Sequence, residues 1–74
     1  MKNLYIAFIQ ELDTGIYPHA IKFDAAENIE TVKARCGNPK LARVFTAKRD
    51  AAAFVNWWTV QAKIEGIYAF AETF

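Results

Sequence analysis

This chain has little of what most chemistry-bearing proteins use. Its 74 residues contain one cysteine, Cys36, and one histidine, His19. A single cysteine cannot form an internal disulfide, so no covalent staple is expected and a reducing compartment is the natural home. A zinc site would need both His19 and Cys36 plus two carboxylates, and no spacing suggests one. The three glycines stand singly at Gly15, Gly37 and Gly66, which excludes a glycine-rich phosphate loop. No apolar run approaches the ~20 residues of a membrane span, and no signal-peptide core precedes the first charged turn. The expectation is therefore a cytoplasmic protein with no cofactor, no metal and no membrane association.

Charge of either sign is also in short supply as a directing force. Nine basic and eight acidic residues leave a net charge of +1. No block of five like charges exists, so a strong field for steering nucleic acid or acidic substrates is absent. The carboxylates Glu11, Asp13, Asp24, Glu27, Glu30, Asp50, Glu65 and Glu72 fall mostly where caps, turns and helix surfaces are expected. No nucleophile–base pair, carboxylate pair or metal set converges in the pattern. The chain reads as a binding protein and not as an enzyme.

What the chain has in abundance is apolar and aromatic surface. Hydrophobic residues make up 54 % of it, including two Trp, three Tyr and six Phe. A domain of this size buries only about 60 % of the surface its unfolded chain exposes, so part of this aromatic load is expected to stay accessible.

The periodicities predict one small α+β domain over residues 1–74. Residues 3–11 lack breakers and are apolar on both faces: Leu4, Ile6 and Phe8 on one, Tyr5, Ala7 and Ile9 on the other. That pattern indicates a central strand or one covered by a second layer. Leu12 to Gly15 supplies turn chemistry, with Gly15 free to take positive φ. Residues 16–23 form a return strand, placed at an edge or bulged near Pro18, which cannot donate to a ladder. Asp24 to Glu27 has capping-box spacing, with Asp24 as N-cap of a first helix that stops at Gly37. Leu41 to Thr46 reads as a third strand, Thr46 as the cap of a second helix running to about Gly66. Residues 67–74 either alternate as a fourth strand, extend the helix or pack as a tail over the second stripe. The expected architecture is an antiparallel sheet of three or four strands with two helices on one face, in the order ββαβα(β).

The second helix carries two apolar stripes. Phe54, Val55, Trp58 and Ala62 form one arc. Ala53, Trp57, Val60 and Ile64 form another at 4-3-4 spacing, which Ile67 would extend. A helix packed once on a small sheet needs a single arc. The second stripe is either covered by the first helix and the tail or meets a protein partner. A second copy of the chain, giving a homodimer centred on Trp57, is the expected case.

Two likenesses supplement this reading. Very short, aromatic-rich chains without a catalytic set resemble accessory proteins of phages and mobile elements, including inhibitors of host nucleases. This implies a host protein as partner. The run Ala42-Arg43-Val44-Phe45-Thr46-Ala47-Lys48-Arg49-Asp50-Ala51-Ala52-Ala53-Phe54-Val55, with Leu4-Tyr5-Ile6-Ala7 and Thr14-Gly15-Ile16-Tyr17 upstream, resembles the viroplasmin-like hybrid-binding domain attached to many ribonucleases H. The resemblance implies the same ββαβα order and, as the alternative function, binding of an RNA–DNA hybrid or duplex through Tyr5, Tyr17, Arg43, Lys48 and Arg49. The family's tryptophan after the second strand's start is replaced here by Pro18, His19 and Ala20. Of its lysine pair only a cation at Arg43 remains, beside Val44.

Overall fold

A computed structural model describes residues 2–13, 15–64 and 72–73 of the chain. Strand β1 (Asn3–Leu12) and strand β2 (Gly15–Asp24) form a hairpin, followed by helix α1 (Ile29–Arg35), strand β3 (Leu41–Phe45), helix α2 (Lys48–Ile64) and a two-residue strand β4 (Glu72–Thr73). The α+β class and the ββαβα order are as expected. The sheet order is β3-β1-β2-β4, so β1 is central, as its two apolar faces require.

The hairpin register runs without interruption from Asn3↔Asp24 to Leu12↔Gly15. It continues one step further through Ala25 N–H donating to the Lys2 carbonyl at 3.0 Å. Gly15 sits at φ 146°, a conformation that a side chain would strain. Pro18 pairs with Ile9 within this unbroken register, so the strand has no bulge towards β1. On the outer side of β2, β4 begins its pairing only at His19. The ladder therefore accommodates Pro18 where no described strand needs its missing N–H.

β1 pairs antiparallel with β3 from Tyr5↔Phe45 to Ile9↔Leu41. The fourth strand departs from the antiparallel expectation, since β4 is parallel to β2. Its direction matches that of β3. β2 and β3 are both antiparallel to β1, so β2, β3 and β4 run in one direction.

The helices also depart from the expected arrangement, because they lie on opposite faces of the sheet. Val32 of α1, with Ile29 and Cys36 beside it, packs on Leu4, Ile6, Ile21, Phe23 and Ala42. Ala51 and Val55 of α2 pack on Ala7 and Ala20, with Tyr5, Phe45 and Phe54 around them. The physical reason is the alternation of β1. Ile6 and Ala7 point to opposite faces and both are fully buried, which two helices on one face could not achieve.

Helix α1 starts later than its sequence suggests. Asn28, not Asp24, is the N-cap, its Oδ1 accepting from Glu30 N–H at 2.8 Å and Thr31 N–H at 3.4 Å. Asp24 is held in the β1–β2 ladder opposite Asn3 and cannot also open a helix. The capping-box bonds nevertheless form, as a separate turn. Asp24 N–H donates to Glu27 Oε2 at 3.2 Å, and Ala26 N–H donates to Asp24 Oδ1 at 2.9 Å. Arg35 then donates to Glu27 Oε1 at 2.6 Å, tying this turn to the end of α1. The helix closes as expected at Gly37, φ 84°. Gly37 N–H donates to the Ala34 carbonyl and Asn38 N–H to the Lys33 carbonyl, the two bonds of a Schellman motif.

The cap of α2 is likewise displaced by one residue. Ala47, not Thr46, precedes the first helical residue, and its carbonyl accepts from Asp50 and Ala51. The helix thus starts without a side-chain oxygen in its cap position.

Candidate interaction surface on the second helix

Helix α2 has seventeen residues, with an alanine run in its first half, Asp50 in the first turn and Lys63 in the last. These choices favour the helix locally through propensity and through the helix dipole. Its buried side consists of Ala51, Val55 and Ala62. The small residues let the helix lie close to the sheet, and Val55 packs with the cross-strand pair Ala7 and Ala20.

The aromatic residues continue this contact sideways. Phe45 on β3 meets Phe54 with ring centroids 5.9 Å apart, and Phe54 meets Trp58 at 6.5 Å. Trp58 in turn meets Trp57 at 5.0 Å with planes at 84°, an edge-to-face pair. An aromatic row therefore leads from the sheet, round the flank of α2, to its outer surface.

On that outer surface lie Trp57, Val60 and Ile64, which are 55 %, 56 % and 73 % exposed, together with exposed Ala53. At about 100° per residue, the centre of this stripe lies roughly 160° round the helix from the centre of the buried arc. The division read from the sequence thus coincides with inside and outside. Helix α1 is on the far face of the sheet and does not cover the stripe. Residues 65–71 and 74, Ile67 among them, lie outside the described residues.

The five residues of the nucleic-acid alternative are not gathered. Tyr5 shares the α2 face with Ala7, whereas Tyr17 is opposite Gln10 on the other face. The two are also separated along β1 by about 17 Å, five residues of strand rise. Arg43, Lys48 and Arg49 are exposed near β3 and the start of α2, close to Tyr5 in register but remote from Tyr17.

Two features escaped sequence reasoning. The first is a cleft of about 450 Å³ whose walls include Ile9, Leu12, Ile16, Pro39, Leu41 and Trp58. It joins the hairpin end, the α1–β3 loop and α2, and only tertiary packing assembles these segments. The second is that β3 ends the sheet, so its outer edge has no strand partner among the described residues. Cys36 also borders the cleft, and burial pushes its thiol above the ordinary value. That is the opposite of an activated nucleophile.

No described helix is long and apolar enough to cross a membrane. No protein-family model, curated protein or solved structure matches this chain.

Proposed function

We propose that this chain is a non-catalytic protein-interaction domain that self-associates through the outer stripe of α2. One observation carries the reading. The helix satisfies its contact with the sheet on one side and presents Trp57, Val60 and Ile64 to solvent on nearly the opposite side. The 4-3-4 spacing of these residues with Ala53 suits a facing helix, and a two-fold pair would place Trp57 near its own symmetry mate. Tryptophan is among the residues that dominate such contacts.

The size of the stripe sets the strength. From Ala53 to Ile64 it covers about 16 Å of helix. A contact of that length falls at or below the low end of the ~1,200–2,000 Å² buried in stable interfaces. A dimer dissociating in the micromolar range is therefore expected.

Sedimentation equilibrium over a range of concentrations tests this. The native chain should show a monomer–dimer equilibrium, and Trp57→Asp should be monomeric with an unchanged far-ultraviolet circular dichroism spectrum. A native chain that stays monomeric up to about 1 mM would remove the proposal.

A further inference from the structure

We propose that the open edge of β3 binds an acidic peptide in extended conformation, which adds to the sheet as a further strand. This surface is separate from the α2 stripe, and neither proposal depends on the other.

Among the described residues, strand β3 pairs with β1 along one side only. Its outer side offers alternating backbone N–H and C=O groups, the template on which β-augmentation works. The strand has no proline; its one charge, Arg43, stands opposite Ala7 on the α2 face and is exposed, and Val44 is 44 % exposed.

The chemistry of the occupant follows from charge. Residues 40–50 hold four cations, Lys40, Arg43, Lys48 and Arg49, and one anion, Asp50. This segment is therefore net +3 in a chain whose total is +1, which leaves −2 elsewhere. Lys40 stands just before the strand, Arg43 at its middle and Lys48 and Arg49 just beyond it; all four are exposed. An acidic strand laid along this edge meets Lys40 just before the start of β3 and Arg43 at its centre.

The same facts weigh against two other occupants. A second copy pairing antiparallel over all five residues would set Arg43 directly opposite its own mate, and like charges in that position are destabilising. A nucleic acid offers phosphate oxygens that accept but do not donate, so it would leave the open carbonyls of β3 unanswered. A peptide backbone answers both groups. The apolar cleft that begins at Pro39 and Leu41 adds a place for one bulky side chain beside the start of the strand.

The test uses a fluorescently labelled octapeptide of alternating valine and glutamate with a phenylalanine at one end. Anisotropy is measured with the full chain at about 10 mM and about 150 mM ionic strength, where the Debye length falls from ~30 to ~8 Å. Binding should be present at low salt and weaker at high salt, with amide chemical-shift changes concentrated in residues 40–45. Arg43→Glu and, independently, Lys40→Glu should each weaken it by about fivefold, as expected when an exposed attraction becomes a repulsion. The same peptide with alternate backbone amides methylated along one edge should not bind.

Several results would overturn the proposal. These are equal binding of the methylated peptide, shifts confined to residues 53–64, or no binding by about 1 mM at low salt. A labelled DNA duplex binding more tightly than the peptide, through the same two cations, would replace it with a phosphate site. Concentration-dependent amide protection of residues 41–45 without peptide would assign the edge to a second copy.

Discussion

The ring of Trp57 stands edge-on to the ring of Trp58, with centroids 5.0 Å apart. Adjacent residues on a helix diverge by about 100°, so this contact joins the outer stripe to the half-buried side. Two indoles at this distance and angle couple electronically. An exciton couplet in the far-ultraviolet circular dichroism is expected, and Trp57→Phe or Trp58→Phe should each abolish it. Acrylamide quenching of Trp57, measured in the Trp58→Phe variant, should fall as protein concentration rises if the stripe is buried between copies.

The two sides of α2 should respond differently to truncation. Val55 is fully buried against Ala7 and Ala20, so Val55→Ala should cost about 2 kcal/mol through lost transfer energy and a residual cavity. Val60 is more than half exposed, and Val60→Ala should stay within about 0.5 kcal/mol. Urea denaturation at concentrations where the chain is monomeric measures both. Similar losses at the two positions would mean that Val60 is covered within the monomer.

The caps give a pair of opposite predictions. Asn28 accepts two backbone donors at the start of α1, and Asn28→Ala should destabilise by about 1 kcal/mol. Ala47 occupies the corresponding place before α2 without a side-chain acceptor. Ala47→Ser should therefore stabilise by about 0.5–1 kcal/mol, read as a higher urea midpoint with an unchanged slope.

Glu27 should contribute to acid sensitivity. The hydrogen bond from Arg35 holds its carboxyl below the ordinary 4.5, with help from Asp24 N–H and the guanidinium charge. A depressed folded-state value stabilises the native chain above the unfolded-state value near 4.5, and this is lost as pH falls through the folded-state value. Glu27→Gln should therefore flatten the decline of stability as pH falls below the ordinary value of 4.5. An unchanged decline would place the acid sensitivity in other carboxylates.

Much of the fold was legible because β1 declares itself. Leu4, Ile6 and Phe8 alternate with Tyr5, Ala7 and Ile9, and only a central strand covered on both sides buries both sets. The same evidence could have placed the helices on opposite faces, which the expectation of a one-faced sheet overlooked. Asp24 misled because its turn chemistry is real: it makes its capping-box bonds while the ladder holds it opposite Asn3. The direction of β4 depends on the crossover through α2, which no local pattern in residues 67–74 records. On the candidate surface, the residues at 4-3-4 spacing, Ala53, Trp57, Val60 and Ile64, are exposed on α2. The cleft by Leu41 and the open edge of β3 are products of sheet order, and strand order is not written in any single segment.

The central position of β1 also bears on how the chain assembles as a ribosome delivers it. The strand that every layer uses leaves the exit tunnel before its partners. β2 can zip onto it through a turn that joins Leu12 to Gly15, and α1 and β3 then add in the order they emerge. The pairing of His19–Ala20 with Glu72–Thr73 joins segments more than fifty residues apart. Growth outward from a central seed lets the hairpin form early in synthesis, and leaves the docking of α2 and the pairing of the last strand as late closures.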